Sequence, residues 1–349
     1  MSFLTEDEES GLTINRMVFH VVGKGLNTPT YLKEFLPPAH EDFFLARIKA
    51  SLRGNLFIFN KDSNVERILR LIQNTADRDE TCFHTQSKQL ATDFHERHTR
   101  NASKGAFFVF ELLSGDEKLY ALIKYEDEEV IRYVLRTGSL EEYKPRLERF
   151  NESFVKKAEA IQKVALVRLS PAEGGIVTVM DRSKRTHISE YFELFLRVKR
   201  VNTEKQLADN LLGILKQVFK DNKTHLPPAI AKDGVSRIYE YLRNKEFEFD
   251  TTKPRETLTA IFGQLSDDSP VLADFTKKAK EKGIMGESFT VKPENIEKPK
   301  RKKLVTEENV VIYFDDRAEM NRKILPDGRT EITILTAGIT VDDIDTDGH

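Results

Sequence analysis

Cysteine, tryptophan and long apolar runs are scarce or absent in this 349-residue chain. Its one cysteine, Cys82, cannot form an intrachain disulfide, which fits a reducing compartment. No stretch approaches the ~20 apolar residues that a membrane-spanning helix needs. The opening residues, MSFLTEDEESG, include four acidic side chains and no apolar run typical of a signal peptide. We therefore expect a cytoplasmic protein without membrane contact.

An excess of positive charge is also missing. The chain has 55 Lys and Arg against 57 Asp and Glu, which gives a net charge of −2. A protein that binds DNA with its whole surface is basic, so any contact with DNA here has to come from local patches. The hydrophobic fraction of 39% and the 23 phenylalanines are sufficient for a folded chain, and the length favours two domains.

Motifs for catalysis and metal binding are weak or absent. The segment GKGLNT at 23–28 lacks the spacing of a phosphate-binding loop. Cys82 has a histidine two residues on, but side chains at that spacing diverge on a helix or strand. A zinc site could be drawn from a few side chains, but histidines three apart on a polar helix are usually surface residues; these side chains are His84, Asp93, His95 and His98.

A nuclease would need clustered carboxylates that hold Mg²⁺. Asp181, Asp315 and Asp316 are candidates, but no E-x-K element follows any of them. We therefore predict a protein that is not an enzyme and that binds neither a metal nor a cofactor.

The first 200 residues show the patterns of a sheet with flanking helices. Alternating, β-branched and aromatic residues predict strands at 12–22 and 55–59 and hairpins at 104–126 and 164–183. Apolar residues at helical spacing predict helices at 40–52 and 65–72. Polar or charged composition predicts two more helices, at 86–100 and 139–163. Residues 1–11 read as a solvated acidic tail.

From residue 188 onward, helical periodicity dominates. The pattern predicts helices at 188–200, 201–220, 236–244, 254–264 and 271–284, with Thr203 and Gln206 as a capping box and Gly283 as a C-terminal cap. Two prolines and no apolar periodicity at 292–303 predict an exposed basic arm. Strands at 310–316 and 329–338 with a turn at 326–328 follow, and 341–349 is a second acidic tail.

These elements predict an α+β protein. A mixed or antiparallel sheet domain would occupy residues 12–200. A helix-rich domain closed by a C-terminal strand pair would occupy residues 201–340.

Three basic clusters could contact phosphates. The first contains Arg182, Lys184, Arg185, Arg197, Lys199 and Arg200. If a helix separates the two halves of this cluster, they lie ~18 Å apart. That distance suits contacts to separate phosphates of a duplex. The alternative is that these cations lie at a helix C-terminus and offset the helix dipole. The second lies in the predicted arm and is equally compatible with a solvated linker; it contains Lys298, Lys300, Arg301, Lys302 and Lys303.

The remaining candidates favour ordinary structural roles. Lys216, Lys220 and Lys223 have the spacing of a solvated helix face. The aromatic run KGAFFVF beside Lys104 could stack on single-stranded bases, but phenylalanines that face a core explain it better.

The order of segments resembles the bacterial nucleoid-associated protein family (NdpA-like, YejK-like). The segments that carry the resemblance are TINRMVFHVV, DFFLARI, ISEYFELFLRVKRVNTEKQLADNLLGIL, KAKEKGI followed by ESF, and VVIYFDD with RTEITILTAG. The resemblance covers roughly residues 12–340 and implies a cytoplasmic protein on the nucleoid that binds DNA without catalysis. It identifies no DNA-contacting residue by position.

We therefore expect double-stranded DNA to be bound weakly or without sequence specificity, through phosphate contacts of local Lys and Arg patches. The alternative is a non-enzymatic adaptor whose partner is a protein, such as a DNA-processing enzyme or a phage-defence component. A homo-oligomer is compatible with both.

Overall fold

The computed structural model describes residues 3–34, 41–52, 54–75, 80–97, 103–125, 134–135, 145–146, 161–171, 174–299, 301–315 and 317–340. The chain divides into two compact units, Met1–Ile296 and Glu297–His349.

A seven-stranded antiparallel sheet forms the centre of the first unit. The strands of the N-terminal part are β1 (Leu12–Val22), β2 (Asn55–Phe59), β3 (Gly105–Ser114), β4 (Glu117–Tyr125), β5 (Val134–Leu135), β6 (Pro145–Arg146), β7 (Ile161–Leu169), β8 (Gly175–Asp181) and β9 (Val198–Arg200). The sheet has the order β1-β3-β4-β7-β8-β2-β9, and β5 pairs with β6 separately. The predicted antiparallel sheet and its two hairpins are confirmed.

Side chains alternate across the sheet and build one core on each face. One face packs against α3 (Asn64–Asn74), α4 (Glu80–Arg97) and α5 (Glu190–Leu196). The other face packs against α2 (Glu41–Ala50) and against Phe3 and Leu4. The phenylalanines of KGAFFVF are buried, so this run belongs to the core, as the simpler interpretation predicted.

Two predicted segments differ from the structure. Residues 145–146 and 161–163 are strand and not part of a helix over 139–163; the rest of that range lies outside the described residues. Residues 3–10 are not a solvated tail: Phe3 and Leu4 are buried, and a capped helix α1 (Glu6–Ser10) follows. The hydrogen bond from Arg168 lowers the pKa of the Glu8 carboxyl to about 2 and ties α1 to the sheet.

The helix-rich part has a core of its own. Its elements are α6 (Glu204–Asn222), α7 (Pro228–Asn244), β10 (Phe247–Asp250), α8 (Arg255–Phe262), α9 (Pro270–Glu281) and β11 (Ser288–Val291). The capping box of Thr203 and Gln206 is confirmed. Pro228 begins α7, where its missing N–H costs nothing, so this helix starts earlier than the predicted range 236–244.

Among the described residues, the two sheet cores include nothing beyond Val198, and the helical core begins at Leu207. The domain boundary near residue 200 stays a prediction. No helix in the described ranges is long and apolar enough to cross a membrane.

Gly234 sets the approach of α7 to α6. A Cβ at Gly234 would overlap the ring of Phe219, whereas a Cβ at Gly213 in α6 would meet nothing within 4 Å. We expect Gly234→Ala to destabilise the fold by about 1–3 kcal/mol, because the overlap outweighs the gain in helix propensity. Gly213→Ala should stabilise it by about 0.5–1 kcal/mol. Urea unfolding of both variants measures the contrast, and equal effects would contradict the packing argument.

The second unit contains two hairpins. In the first, β12 (Lys302–Val305) pairs with β13 (Val311–Phe314); in the second, β14 (Glu319–Ile324) pairs with β15 (Thr330–Leu335). Strand pairs at the C-terminal end are confirmed, and the turn at 326–328 joins β14 to β15. Residues 311–314 and 330–335, the two strands that the sequence identified, thus have different partners. Residues 341–349, the predicted acidic tail, lie outside the described residues.

Candidate nucleic-acid interface

The loop at 182–189, between β8 and α5, holds three cations of the first basic cluster. Asp181, the last residue of β8, is buried and anchors both ends of the loop. Its Oδ1 accepts the backbone N–H (3.0 Å) and the hydroxyl (2.6 Å) of Ser183, and its Oδ2 accepts the N–H of Ser189 (2.8 Å). Lys163, opposite Asp181 on β7, donates its ammonium to the same carboxylate. The loop is therefore fixed from inside the sheet.

Two more side chains hold the middle of the loop. Asn55 Nδ2 donates to the carbonyl of Arg185 at 3.2 Å, and Arg200 Nη1 donates to the carbonyl of Thr186 at 3.1 Å. These bonds satisfy carbonyl groups that a loop would otherwise leave to solvent. The hydrogen bonds of the loop backbone are made to side chains on the inner side of the loop. The loop is therefore ordered while its own long side chains extend outward.

The side chains of Arg182, Lys184 and Arg185 are exposed. Within the described part of the chain, Lys184 and Arg185 form no ion pair. An ordered backbone that carries exposed cations can meet an anion without first losing backbone freedom.

Arg200 has a structural partner instead. Its Nη2 lies 2.7 Å from Oε2 of Glu287, which is fully buried, and donates to the carbonyl of Ser288 at 2.7 Å. Leu56 N–H donates to the other oxygen of Glu287 at 3.0 Å. A guanidinium committed to a buried carboxylate is not available to phosphate, so we leave Arg200 out of the proposed contact surface.

The two buried carboxylates respond differently to burial. Burial raises the pKa of Glu287, and the opposing charge and hydrogen bond of Arg200 do not fully offset it. Burial also acts to raise the pKa of Asp181, but hydrogen bonds from Lys163, Ser183 and Ser189 outweigh it and hold that pKa below its usual value. Asp181 is therefore an ionised anchor over the physiological range.

The predicted helix over 188–200 is wrong in its last four residues. The helix ends at Leu196; Arg197 adopts a left-handed conformation (φ 54°), and β9 follows as an edge strand beside β2. Val198 is buried in the same core as Leu196, and an extended backbone lets it reach that core. The two halves of the first basic cluster are therefore not held ~18 Å apart by a helix, because Arg200 contacts the 182–189 loop directly.

The other two cations of this half differ in environment. Arg197 forms an exposed ion pair with Asp62. Lys199 is exposed and lies on the face of the sheet opposite Val198, and the described residues provide no ion pair to it. Lys199 is thus a candidate contact separate from the loop.

The predicted arm is ordered at both ends. Lys292 pairs with Glu204 at 2.9 Å, and Ile296 is buried as part of the helical core. Lys302 and Lys303 lie on β12, and Lys303 is also over the ring of Tyr313. Lys298 and Arg301 are exposed and outside strands or helices, and Lys300 lies outside the described residues.

The third cluster has the environment of a helix surface. Lys216 donates to the hydroxyl of Tyr239 at 2.6 Å, while Lys220 and Lys223 are exposed.

The candidate catalytic and metal-binding residues do not converge. His84 Nε2 lies 3.1 Å from the carbonyl of Leu32, whereas His95 Nδ1 accepts the N–H of Gly23 at 3.1 Å. Asp93 accepts a hydrogen bond from Asn64, and His98 lies outside the described residues. Among the described residues there is no group of three His, Cys, Asp or Glu side chains that could hold a metal.

The nuclease and thiol candidates have partners of their own. Asp181 holds Lys163, and Asp315 pairs with Arg317 at 2.7 Å in the second unit. Asp316 lies outside the described residues. Cys82 Sγ is 3.2 Å from the Thr75 hydroxyl.

A buried histidine and serine form a pair that the sequence did not reveal. His20 Nε2 lies 3.0 Å from Ser87 Oγ, and His20 Nδ1 accepts the N–H of Leu32 at 3.2 Å. Since Nδ1 is an acceptor, the neutral ring carries its proton on Nε2 and donates to Ser87. The ring cannot remove a proton from that hydroxyl, so the pair is structural. Burial lowers the pKa of His20 to about 3.

Sequence reasoning also missed Asn55 and Lys163, which hold the loop directly, and Glu287, which holds Arg200. Lys163 and Asp181 face each other only once β7 and β8 are in register. The one signal in the sequence was that Lys163 stands directly before the apolar run VALV.

A search of curated proteins finds no match for this chain. The family model for nucleoid-associated protein YejK matches residues 18–336. That match spans both the sheet with the 182–189 loop and the hairpins of the second unit. It confirms the family resemblance and, with it, the expected location at the cytoplasmic nucleoid. The chain belongs to the YejK family of nucleoid-associated proteins.

Proposed function

We propose that this protein binds double-stranded DNA through the 182–189 loop, with little sequence preference. The observation that carries the proposal is the anchoring of an exposed basic loop by buried side chains. Asp181, Asn55 and Arg200 fix the backbone, and Arg182, Lys184 and Arg185 extend from it. Lysine and arginine contacts to phosphates position a protein on DNA without reading its bases.

Lys199 and the cations at 298–303 are secondary contacts in this proposal. Lys199 lies on the edge strand just before Arg200, and its side chain faces away from the core that buries Val198. The 298–303 cations belong to the second unit. Concentrating the DNA contacts in one loop is compatible with a chain whose net charge is −2.

Neutralising the loop should weaken DNA binding equally across sequences. We expect the triple change Arg182→Ser, Lys184→Ser and Arg185→Ser to reduce the slope of log affinity against log salt by about 0.9 for each phosphate that is no longer neutralised, or about 2.7 for three phosphates. Fluorescence anisotropy with two unrelated duplexes at several salt concentrations measures this. The matched control, Lys220→Ser, Lys223→Ser and Lys277→Ser, removes the same charge from exposed helix positions and should leave the slope unchanged. Equal reductions of the slope in both triple variants would refute a localised contact surface.

Removing the charges at 298–303 distinguishes the two surfaces. Changing Lys298, Lys300, Arg301, Lys302 and Lys303 to Ser should reduce the slope less than the loop variant does, with little change in melting temperature. If only this variant fails to bind DNA, the contact surface lies in the second unit. If both variants bind DNA normally and a protein partner no longer binds, the adaptor function applies.

We also propose that the protein is not an enzyme. Plasmid DNA incubated with the protein and Mg²⁺ or Mn²⁺ should remain uncut, because the candidate carboxylates are engaged in separate ion pairs. Cleavage that disappears in Asp181→Ala or Asp315→Ala would assign a nuclease function to the chain.

A further inference from the structure

The loop at 23–29, which follows β1, is built like the 182–189 loop. Two backbone hydrogen bonds between Val21 and Thr30, of 3.0 and 2.9 Å, close the loop at its base. The side chain of Lys24 is exposed at its tip. An exposed cation is therefore carried by a second ordered backbone.

Gly23 brings this loop against the residues that precede β3. A Cβ at Gly23 would lie 2.6 Å from the carbonyl oxygen of Ser103 and 2.8 Å from Cα of Lys104, so a larger residue would not allow this approach. His95 Nδ1 accepts the N–H of Gly23 at 3.1 Å and holds it there. Lys24 and Lys104 are both exposed, and within the described ranges neither forms an ion pair. The backbone thus carries two exposed cations close together beside the start of β3.

Strand register places this pair of lysines and the 182–189 loop at the same end of the sheet. The end of β1 pairs with the start of β3, and the start of β3 pairs with the end of β4. The end of β4 pairs with the start of β7, which pairs with the end of β8. Three strand spacings separate β3 from β8 and four separate β1 from β8. At about 4.8 Å for each spacing, the two basic sites lie about 14–19 Å apart.

The opposite end of β1, β3 and β4 is acidic. Helix α1 leads into β1 there, and the turn from β3 to β4 lies beside it. The acidic side chains of these two segments are Glu6, Asp7, Glu8, Glu9, Asp116 and Glu117. Arg168, a cation at that end, pairs with Glu8 and Glu117. The end that carries the two basic sites can therefore attract DNA although the chain has a net charge of −2.

We propose that one DNA duplex lies across the basic end of the sheet and contacts Lys24 and Lys104 in addition to the 182–189 loop. This inference rests on the proposed function, because it extends the same binding surface. A duplex carries one charge every ~1.7 Å, so a span of about 14–19 Å passes about 8–11 phosphates. Strand β4 lies between the two sites and is followed in the sequence by four acidic residues, 126–129. We therefore expect two separate contact points and not a continuous basic stripe.

The affinity for duplex DNA at several salt concentrations tests the second contact. Lys24→Ser with Lys104→Ser should lower the slope of log affinity against log salt by about 1.8, which is about 0.9 for each of two phosphates. Lys24→Arg with Lys104→Arg keeps both charges and should retain the wild-type slope. The matched control, Lys220→Ser with Lys223→Ser, removes the same charge from exposed positions and should also retain it. All of these positions are exposed, so the melting temperature should not change in any variant.

The loop variant, with serine at 182, 184 and 185, separates failure of this inference from failure of the proposed function. If the loop variant lowers the slope and the Lys24 and Lys104 variant behaves like its control, the second contact is absent and the proposed function stands. If only the Lys24 and Lys104 variant lowers the slope, the loop is not a contact, and both the proposed function and the shared duplex are wrong. A wild-type protein that does not bind DNA would overturn both proposals.

Photo-cross-linking tests whether one duplex reaches both sites. In a Cys82→Ser background, a cross-linker coupled to Lys24→Cys should attach to DNA, whereas the same group on Lys220→Cys should attach much less. With Lys24→Cys and Lys184→Cys both coupled, the product should contain one duplex per protein. Two duplexes per protein, or equal attachment from positions 24 and 220, would overturn the shared duplex.

Discussion

Replacing Lys163 with methionine is expected to destabilise the protein by about 3–5 kcal/mol. The Lys163 and Asp181 side chains are 3% and 0% exposed, so the substitution leaves a carboxylate buried without its cation. The carboxylate keeps its bonds to Ser183 and Ser189, but these do not supply a compensating charge. Urea unfolding followed by circular dichroism measures the decrease in stability.

The double variant separates stability from the role of the loop. Lys163→Met with Asp181→Leu removes both charges and should recover most of the stability. It also removes the anchors at Ser183 and Ser189, so the double variant should bind DNA less tightly despite its recovered fold. As a control, Arg237→Met breaks an exposed pair with Asp233 and should cost less than about 0.5 kcal/mol. A destabilisation below about 1 kcal/mol for Lys163→Met would contradict the buried-pair argument.

Acid should begin to destabilise the protein through His20 at a pH above the range where carboxylates are protonated. The pKa of His20 is about 3 in the fold against an ordinary value of 6.5, mainly because of burial and then because of His84 and Lys88. Between these two values the unfolded chain binds a proton at His20 that the native chain does not. The contribution of His20 is therefore complete above pH 6.5 and is lost as pH falls, by up to about 1.4 kcal/mol per pH unit.

The cause lies in the hydrogen bonds of the ring. A protonated imidazole has no acceptor, so Leu32 N–H would lose its partner in a buried position. His20→Asn keeps an acceptor for that N–H and cannot be protonated, so its free energy of unfolding should depend less on pH between 6.5 and 3. His225→Asn, at an exposed position, should keep the wild-type dependence. Identical pH profiles for wild type and His20→Asn would rule out His20 as the acid-sensitive group.

Glu287 acts in the opposite direction. Its pKa is raised in the fold, so its contribution is present at low pH and is lost as pH rises through the folded value. The measured profile of the wild type combines both groups with others, among them Glu8 and Asp181, whose pKa values are lowered in the fold. The difference between wild type and His20→Asn isolates the histidine.

Local patterns in the sequence determined which segments are strands and helices over most of the described chain. Alternation predicted the hairpin of β3 and β4, and the Thr203 capping box predicted the start of α6. The order of such segments also sufficed to identify the family. Each of these signals depends on neighbouring residues, because side-chain periodicity and capping are properties of a few consecutive residues.

Only the tertiary structure decided which segments meet. Residues 188–200 have a helical period, yet burial of Val198 in the sheet core ends the helix at Leu196 and makes β9 an edge strand. Arg200 belongs to a basic cluster that the sequence offers as a DNA contact. In the fold it pairs instead with Glu287, 87 residues away. Lys163 and Asp181 become one ion pair only when β7 and β8 are in register. The sequence alone determined the elements and the family, whereas the partners of its charged residues depended on long-range burial, which local periodicity does not encode.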